Sequence, residues 1–122
     1  MNQSDKGKYG ENIAEGYLRG KGYDIVRARY KCVYGEIDII AKQGAVLVFA
    51  EVKFRRTTKG GAGAEAITKT KQRSIIKAAV HYISTQKPPC QTYRFDTIQV
   101  FGREFYEITH IENAFYADGV AL

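Results

Sequence analysis

The stretch from Gly35 to Lys53 restricts the possible folds of this 122-residue chain more tightly than any other. Two apolar, β-branched runs lie within it: Ile37-Asp38-Ile39-Ile40-Ala41, and Val46 to Lys53. A short polar turn at Gln43-Gly44 separates them, which predicts a β-hairpin. Each run carries charge where a buried strand should be apolar. Asp38 sits among isoleucines, and Glu51 and Lys53 bracket Val52. Alternation places Glu51 and Lys53 on one face. A two-residue Gln43-Gly44 turn would pair Lys42 with Ala45, Asp38 with Phe49 and Glu36 with Glu51. Asp38 and Glu51 then become diagonal neighbours on the face of Lys53, about 7–8 Å apart at the backbone. A four-residue turn keeps that register, whereas a three-residue turn with a bulge flips it. Two carboxylates this close repel unless a cation or a proton lies between them. The competing explanation is an ion cluster with Lys53 that only fixes strand register, at a cost relative to apolar packing.

Length predicts one domain, residues 1–122, with one core. The longest uninterrupted apolar run, Ala45 to Ala50, is too short to cross a bilayer, and the first residues do not resemble a signal peptide. Cys32 and Cys90 lack metal-ligand spacing and read as reduced thiols of a cytoplasmic protein. The net charge is +6, and its placement is uneven. From Lys53 to Lys77 stand Lys53, Arg55, Arg56, Lys59, Lys69, Lys71, Arg73 and Lys77 against the single acid Glu65, so this segment carries +7 and the rest −1. Such a field favours a polyanion such as nucleic acid; a solvated, lysine-rich face is the plainer reading.

Ser4 or Asp5 can cap a first helix running to about Arg19, with Ile13, Ala14, Tyr17 and Leu18 as its apolar stripe and Gly20 and Gly22 ending it. Glu11 and Glu15 share one face, where Lys8 or Arg19 could pair with them. Asp24 to Tyr30 is predicted as a strand. Thr57 to Gly63 reads as a flexible loop beside the carboxylates. A second helix is expected from about Glu65 to Ser84, burying Ile75, Ile76, Ala79, Val80 and Ile83. Lys69, Arg73, Lys77 and His81 form a basic edge along it that could follow a phosphate backbone, with His81 as a rim residue. Pro88-Pro89 stops that helix. Tyr93 to Phe101 and Phe105 to Ile111 are predicted as two further strands, and Ala114, Phe115 and Tyr116 as a docked tail. The middle strands are apolar on both faces, so helices must cover both sides of a mixed α/β sheet.

Asp38, then Glu51-Val52-Lys53, resembles the PD-(D/E)xK nuclease motif. The chain as a whole resembles the small bacterial YraN family, which is similar to archaeal Holliday-junction resolvases and restriction endonucleases. Gly10-Glu11, Ala14, Tyr17-Leu18 and Gly22-Tyr23 resemble its first helix. Thr70-Lys71-Gln72 resembles the start of the second, and Arg94-Phe95-Asp96 and Asn113-Ala114-Phe115 its later signatures. Ala50 departs from the valine usual before Glu-Val-Lys. The resemblance implies a restriction-endonuclease-like core with Asp38, Glu51 and Lys53 at its site. It also implies Glu11 as a first-helix glutamate near the metal, and Gln72 as a lesser candidate. The implied activity is Mg²⁺- or Mn²⁺-dependent hydrolysis of phosphodiester bonds, on branched or structured DNA. Asp38 and Glu51 would be the ligands and Lys53 would orient water or stabilise charge. The alternative is a nucleic-acid-binding module without catalysis. Arg55, Arg56, Lys59, Lys69, Lys71, Gln72, Arg73 and Lys77 are the expected nucleic-acid contacts. Related resolvases act as dimers, which makes a homodimer an expectation of the resemblance; no membrane partner is expected.

Overall fold

The computed structural model describes residues 3–55, 67–90, 92–102 and 104–117. Helix α1 spans Gln3–Gly20. Its end is built by Gly22 at φ +89: the Tyr23 N–H donates to Leu18 O and the Gly22 N–H to Arg19 O, each at 3.0 Å. That double closure needs a left-handed residue, which glycine accepts without a Cβ penalty.

Strands β1 (Asp24–Cys32), β2 (Gly35–Gln43) and β3 (Val46–Arg55) follow as an antiparallel meander. Helix α2 (Lys69–Gln86) then carries the chain across to β4 (Thr92–Phe101), which lies parallel to β3, and β5 (Glu107–Phe115) returns antiparallel to β4. Among the described residues these five strands form one sheet in the order β1-β2-β3-β4-β5. The outcome is the expected mixed α/β sheet with a helix on each face, consistent with a restriction-endonuclease-like fold.

Two cores result. Ala14 and Leu18 of α1 pack with Ile39, Ala41, Val48, Ala50, Ile98 and Val100 of the sheet. Ile75 and Ala79 of α2 pack with Ile37, Ile40, Leu47, Phe49, Phe95 and Phe115 on the other face. Alternation along β3 and β4 is clean, with odd positions toward α2. Along β2 it slips at Asp38, since Ile37 joins Ile40 on the α2 side. Beside this slip the β1–β2 ladder pairs Ala28 with Ile39 and Tyr30 with Ile37, with Arg29 at φ +54 between them.

Two expected boundaries are corrected. Helix α2 begins at Lys69 rather than near Glu65, because Thr68 holds an extended backbone and its hydroxyl accepts the Lys71 N–H at 3.2 Å. Glu65 and the predicted loop 57–63 lie outside the described residues. The last strand runs to Phe115, so Ala114 and Phe115 belong to β5 rather than to a docked tail. Cys32 and Cys90 are both free thiols, as expected. No helix among the described residues is long and apolar enough to cross a membrane.

Candidate metal and nucleic-acid site

The β2–β3 hairpin turns through Gly44-Ala45, pairing Gln43 with Val46 and so on to Ile39 with Ala50. This corrects the expected Gln43-Gly44 turn. Gly44 has φ +59 and takes the first turn position, where only glycine fits easily. The slip from the expected pairing is two residues, so every side chain keeps its face. Asp38 therefore comes across from Glu51 rather than from Phe49, closer than the diagonal placement predicted.

The regular ladder stops just short of this pair. Asp38 Oδ2 accepts the Val52 N–H at 2.8 Å, taking the place of a backbone acceptor where the two strands part. The Asp38 carboxyl is also hydrogen-bonded to Glu51. Burial, together with the hydrogen bond and charge of Glu51, pushes the Asp38 carboxyl up to about 8, although the Val52 N–H and Lys71 pull the other way. A raised carboxyl favours a proton held between the two acids, one of the two ways such a pair is relieved.

Other groups converge from three directions. Lys71 Nζ, from the first turn of α2, lies 3.6 Å from Glu51 Oε2. Lys53 is half-buried on the same face as Glu51, beside Gln99 of β4. Thr97 is the β4 neighbour of Glu51, and its buried hydroxyl has no hydrogen-bond partner among the described residues. Glu11 approaches from α1, where Gly10 permits close contact: a Cβ there would lie 2.7 Å from Phe54 Cβ. Arg29 Nε donates to Glu11 Oε1 at 2.7 Å. Burial raises the Glu11 carboxyl, the Arg29 hydrogen bond opposes this, and the charge of nearby Asp38 adds to the rise. Glu11 thus feels Asp38 but is held by Arg29, not by the anticipated Lys8 or Arg19. Glu15 does pair with Arg19, at 3.4 Å. Among the described residues no three His, Cys, Asp or Glu side chains gather closely enough to hold a metal ion together. The close acidic donors are the pair Asp38 and Glu51. A buried and a half-buried carboxyl side by side, next to an orphaned hydroxyl, fit a hard divalent cation, which favours oxygen ligands and keeps several waters.

The basic strip lies alongside. Lys69, Lys71, Arg73 and Lys77 are exposed on α2. Gln72 is turned inward, its Nε2 donating to Ile67 O at 2.8 Å. Arg55 is exposed at the end of β3 and is itself engaged in an interaction. Arg56 and Lys59 lie outside the described residues. His81 is half-buried, hydrogen-bonded to the Tyr30 hydroxyl.

A second polar cluster, not anticipated from the sequence, lies toward α1. Asp96 is fully buried and accepts Arg94 Nε and Nη2 at 2.9 Å each, His110 Nε2 at 2.8 Å and the Asn113 N–H at 3.1 Å. Burial would raise its carboxyl, but the His110, Arg94 and Asn113 hydrogen bonds together hold it below the usual range. Arg94 also reaches Tyr23 Oη at 2.6 Å and Gln43 Oε1 at 3.2 Å, so this cluster ties β5, β4, β2 and the end of α1 together. Its sequence signal was an aspartate inside an apolar strand, the same signal that marked Asp38.

Residues 10–100 match the uncharacterised protein family UPF0102. A UPF0102 protein of Caldicellulosiruptor saccharolyticus is 42% identical over 118 residues, covering 94% of this chain and 100% of its own length. One from Desulfosudis oleivorans is 43% identical over 119 residues, covering 97% and 96%. Among solved structures, SfsA of Pyrococcus furiosus gives a loose likeness, with TM-score 0.39 and 15% identity over 92% of this chain and 64% of that one. The chain is a member of the UPF0102 family, the family named YraN above.

Proposed function

We propose that this protein is a metal-dependent endonuclease that hydrolyses phosphodiester bonds in DNA, with Asp38, Glu51 and Lys53 as its catalytic residues. The observation that carries the reading is the Asp38–Glu51 pair, half-buried at Asp38 and buried at Glu51, with Lys53 and Lys71 beside it. Asp38 and Glu51 would hold Mg²⁺ or Mn²⁺ once the shared proton leaves. Such an ion, when bound, polarises a phosphate oxygen and acidifies a water. The chain's own residues do the rest. The Val52 N–H fixes the Asp38 carboxylate in place. Lys53, on the same face, offers an ammonium to the charge that builds on the phosphate. Glu11, one step away on α1 and restrained by Arg29, would tune the field at Asp38 and join the ligand set if Arg29 turned to phosphate. Lys69, Lys71, Arg73 and Lys77 would bind the backbone of the substrate.

A second reading, a nucleic-acid-binding module without catalysis, is favoured by one observation. Lys71 already sits against Glu51, balancing charge that a cation would otherwise balance. A cleavage panel separates the two: duplex, flap and four-way DNA in Mn²⁺, with wild type and Lys53→Ala. Cutting by wild type and none by Lys53→Ala is expected. Intact substrate at enzyme excess, or equal cutting by both, would overturn hydrolysis. Calorimetric Mn²⁺ titration of wild type and Asp38→Asn tests the ligands separately, since equal affinity would remove Asp38 from the site.

A further inference from the structure

The β1–β2 turn, Val33-Tyr34, breaks the usual chemistry of turns. Such positions favour Gly, Asn, Asp, Ser or Pro. Here a valine is 88% exposed and a tyrosine 53% exposed, side by side. Val33 gains little burial in the chain itself and Tyr34 is covered only in part, yet the turn is firmly placed. Ser74 Oγ donates to Tyr34 O at 2.9 Å. The next residue, Gly35, lies so close to α2 that a Cβ on it would overlap Ser74 Oγ. The Tyr34 ring sits 5.9 Å from the His81 ring, tilted by 57°, which leaves its other side to solvent.

Position gives this turn its meaning. Ser74 is three residues along α2 from Lys71, a rise of about 4.5 Å on the same side of the helix. Lys71 is the residue that reaches Glu51. Just ahead of β2, Tyr34 stands four residues before Asp38, at most about 13 Å from the carboxylate pair along the backbone. Lys77, exposed, lies on the strip of α2 between Ser74 and His81. An aromatic face with lysines on both sides is the arrangement that takes a base on the ring and phosphates on the cations.

We infer that Val33-Tyr34 is a nucleobase-binding site, in which Tyr34 stacks on an unpaired base of nucleic acid and Val33 packs against its edge. This rests on the nucleic-acid reading above and narrows the substrate to one with unstacked bases beside the scissile region: a fork, flap or junction rather than continuous duplex. Within intact duplex the base faces are already stacked and offer no surface to a protruding ring.

The protein has no tryptophan, so Tyr34→Trp places a single indole reporter at the turn. The variant is titrated, without divalent metal, with a forked DNA and with the same fork carrying abasic sites in its single-stranded arms. The expected result is quenching by the fork but not by the abasic fork. Tyr34→Ala should bind the fork more weakly by roughly 5- to 150-fold, the range for losing one stacked base, with an unchanged salt slope. Tyr34→Phe keeps the ring and should bind like wild type. Tyr116→Ala, which removes an exposed aromatic at the opposite end of the sheet, should also bind like wild type. Thermal melting of each variant shows whether the fold is intact. Equal fork affinity for wild type and Tyr34→Ala, or equal losses for Tyr34→Ala and Tyr34→Phe, would overturn the stacking site while leaving phosphate binding in place. No binding of any DNA by wild type would overturn this inference and the nucleic-acid reading together. An indole blue shift on anionic vesicles, with none on the fork, would reassign the turn to a membrane surface.

Discussion

Replacing Asp38 by Asn should stabilise the metal-free protein, and more so as pH rises. An unfolded carboxyl titrates near 3.9, whereas burial and Glu51 push Asp38 in the fold up to about 8. Between those values the native state holds a proton that the unfolded state has lost. Stability therefore falls as pH rises through that window, by at most about 1.4 kcal/mol per pH unit for one proton. From pH 5 to pH 8 the ceiling is about 4 kcal/mol. Asp38 is only half-buried and Lys71 offsets part of the repulsion, so about 2 kcal/mol is the working expectation. Asparagine imitates the protonated form: its carbonyl can accept the Val52 N–H and its amide can donate to Glu51. Urea unfolding of wild type and Asp38→Asn at pH 5, 6, 7 and 8, with chelator present, should give curves that nearly coincide at pH 5. At pH 8 the variant should be more stable by about 2 kcal/mol. Asp96, held low by partners other than Asp38, titrates in both proteins and cancels in the comparison, whereas Glu11 loses the upward push of the Asp38 charge and adds to the variant's gain at high pH. Parallel stability–pH curves for the two proteins would refute the shared proton.

Three further outcomes can be checked. Asp96→Ala leaves the nearly buried Arg94 guanidinium with only the exposed Glu112 carboxylate at 3.5 Å and should cost about 3 kcal/mol in urea unfolding, since half of a buried ion pair is worse than none. Because Asp96 titrates low in the fold, its stabilisation is present at neutral pH and is lost as pH falls below the ordinary carboxyl range, opposite in sign to Asp38. Gly35→Ala drives a methyl into Ser74 Oγ and should cost about 1–3 kcal/mol, with a smaller penalty in a Ser74→Ala background, as a double-mutant cycle would reveal. DNA affinity should fall linearly on a log–log plot against salt, and Lys69→Ala, Arg73→Ala or Lys77→Ala should each reduce that slope by about one, measured by anisotropy.

Much of this arrangement was legible in the sequence because it depends on short-range alternation. Asp38, Glu51 and Lys53 lie on one hairpin, and a period of two settles their face even when the turn is misplaced by one residue. The turn itself was ambiguous because a single glycine can serve either turn position, and only its φ of +59 decides. What stayed hidden depends on how distant elements dock. Arg29 meets Glu11 only because α1 packs against the sheet beside an irregular residue of β1. The start of α2 is set by one local hydrogen bond, the Lys71 N–H to the Thr68 hydroxyl, which helical periodicity does not report. Asp96 shows that an acid in an apolar strand marks a special environment without saying which kind. At position 38 it found another carboxylate, and at position 96 an arginine and a histidine.

The parallel pairing of β3 with β4 has a consequence for the order of assembly. Both acids of the pair belong to neighbouring strands joined by a two-residue loop, and local contacts of that sort form early. Their counter-charge, Lys71, arrives on the long excursion that must close before β4 can dock beside β3. A nascent chain thus creates its electrostatic conflict first and its relief later. Burial, the largest cause of the raised Asp38 carboxyl, arrives only when the helices cover the sheet, so until then both acids stay hydrated.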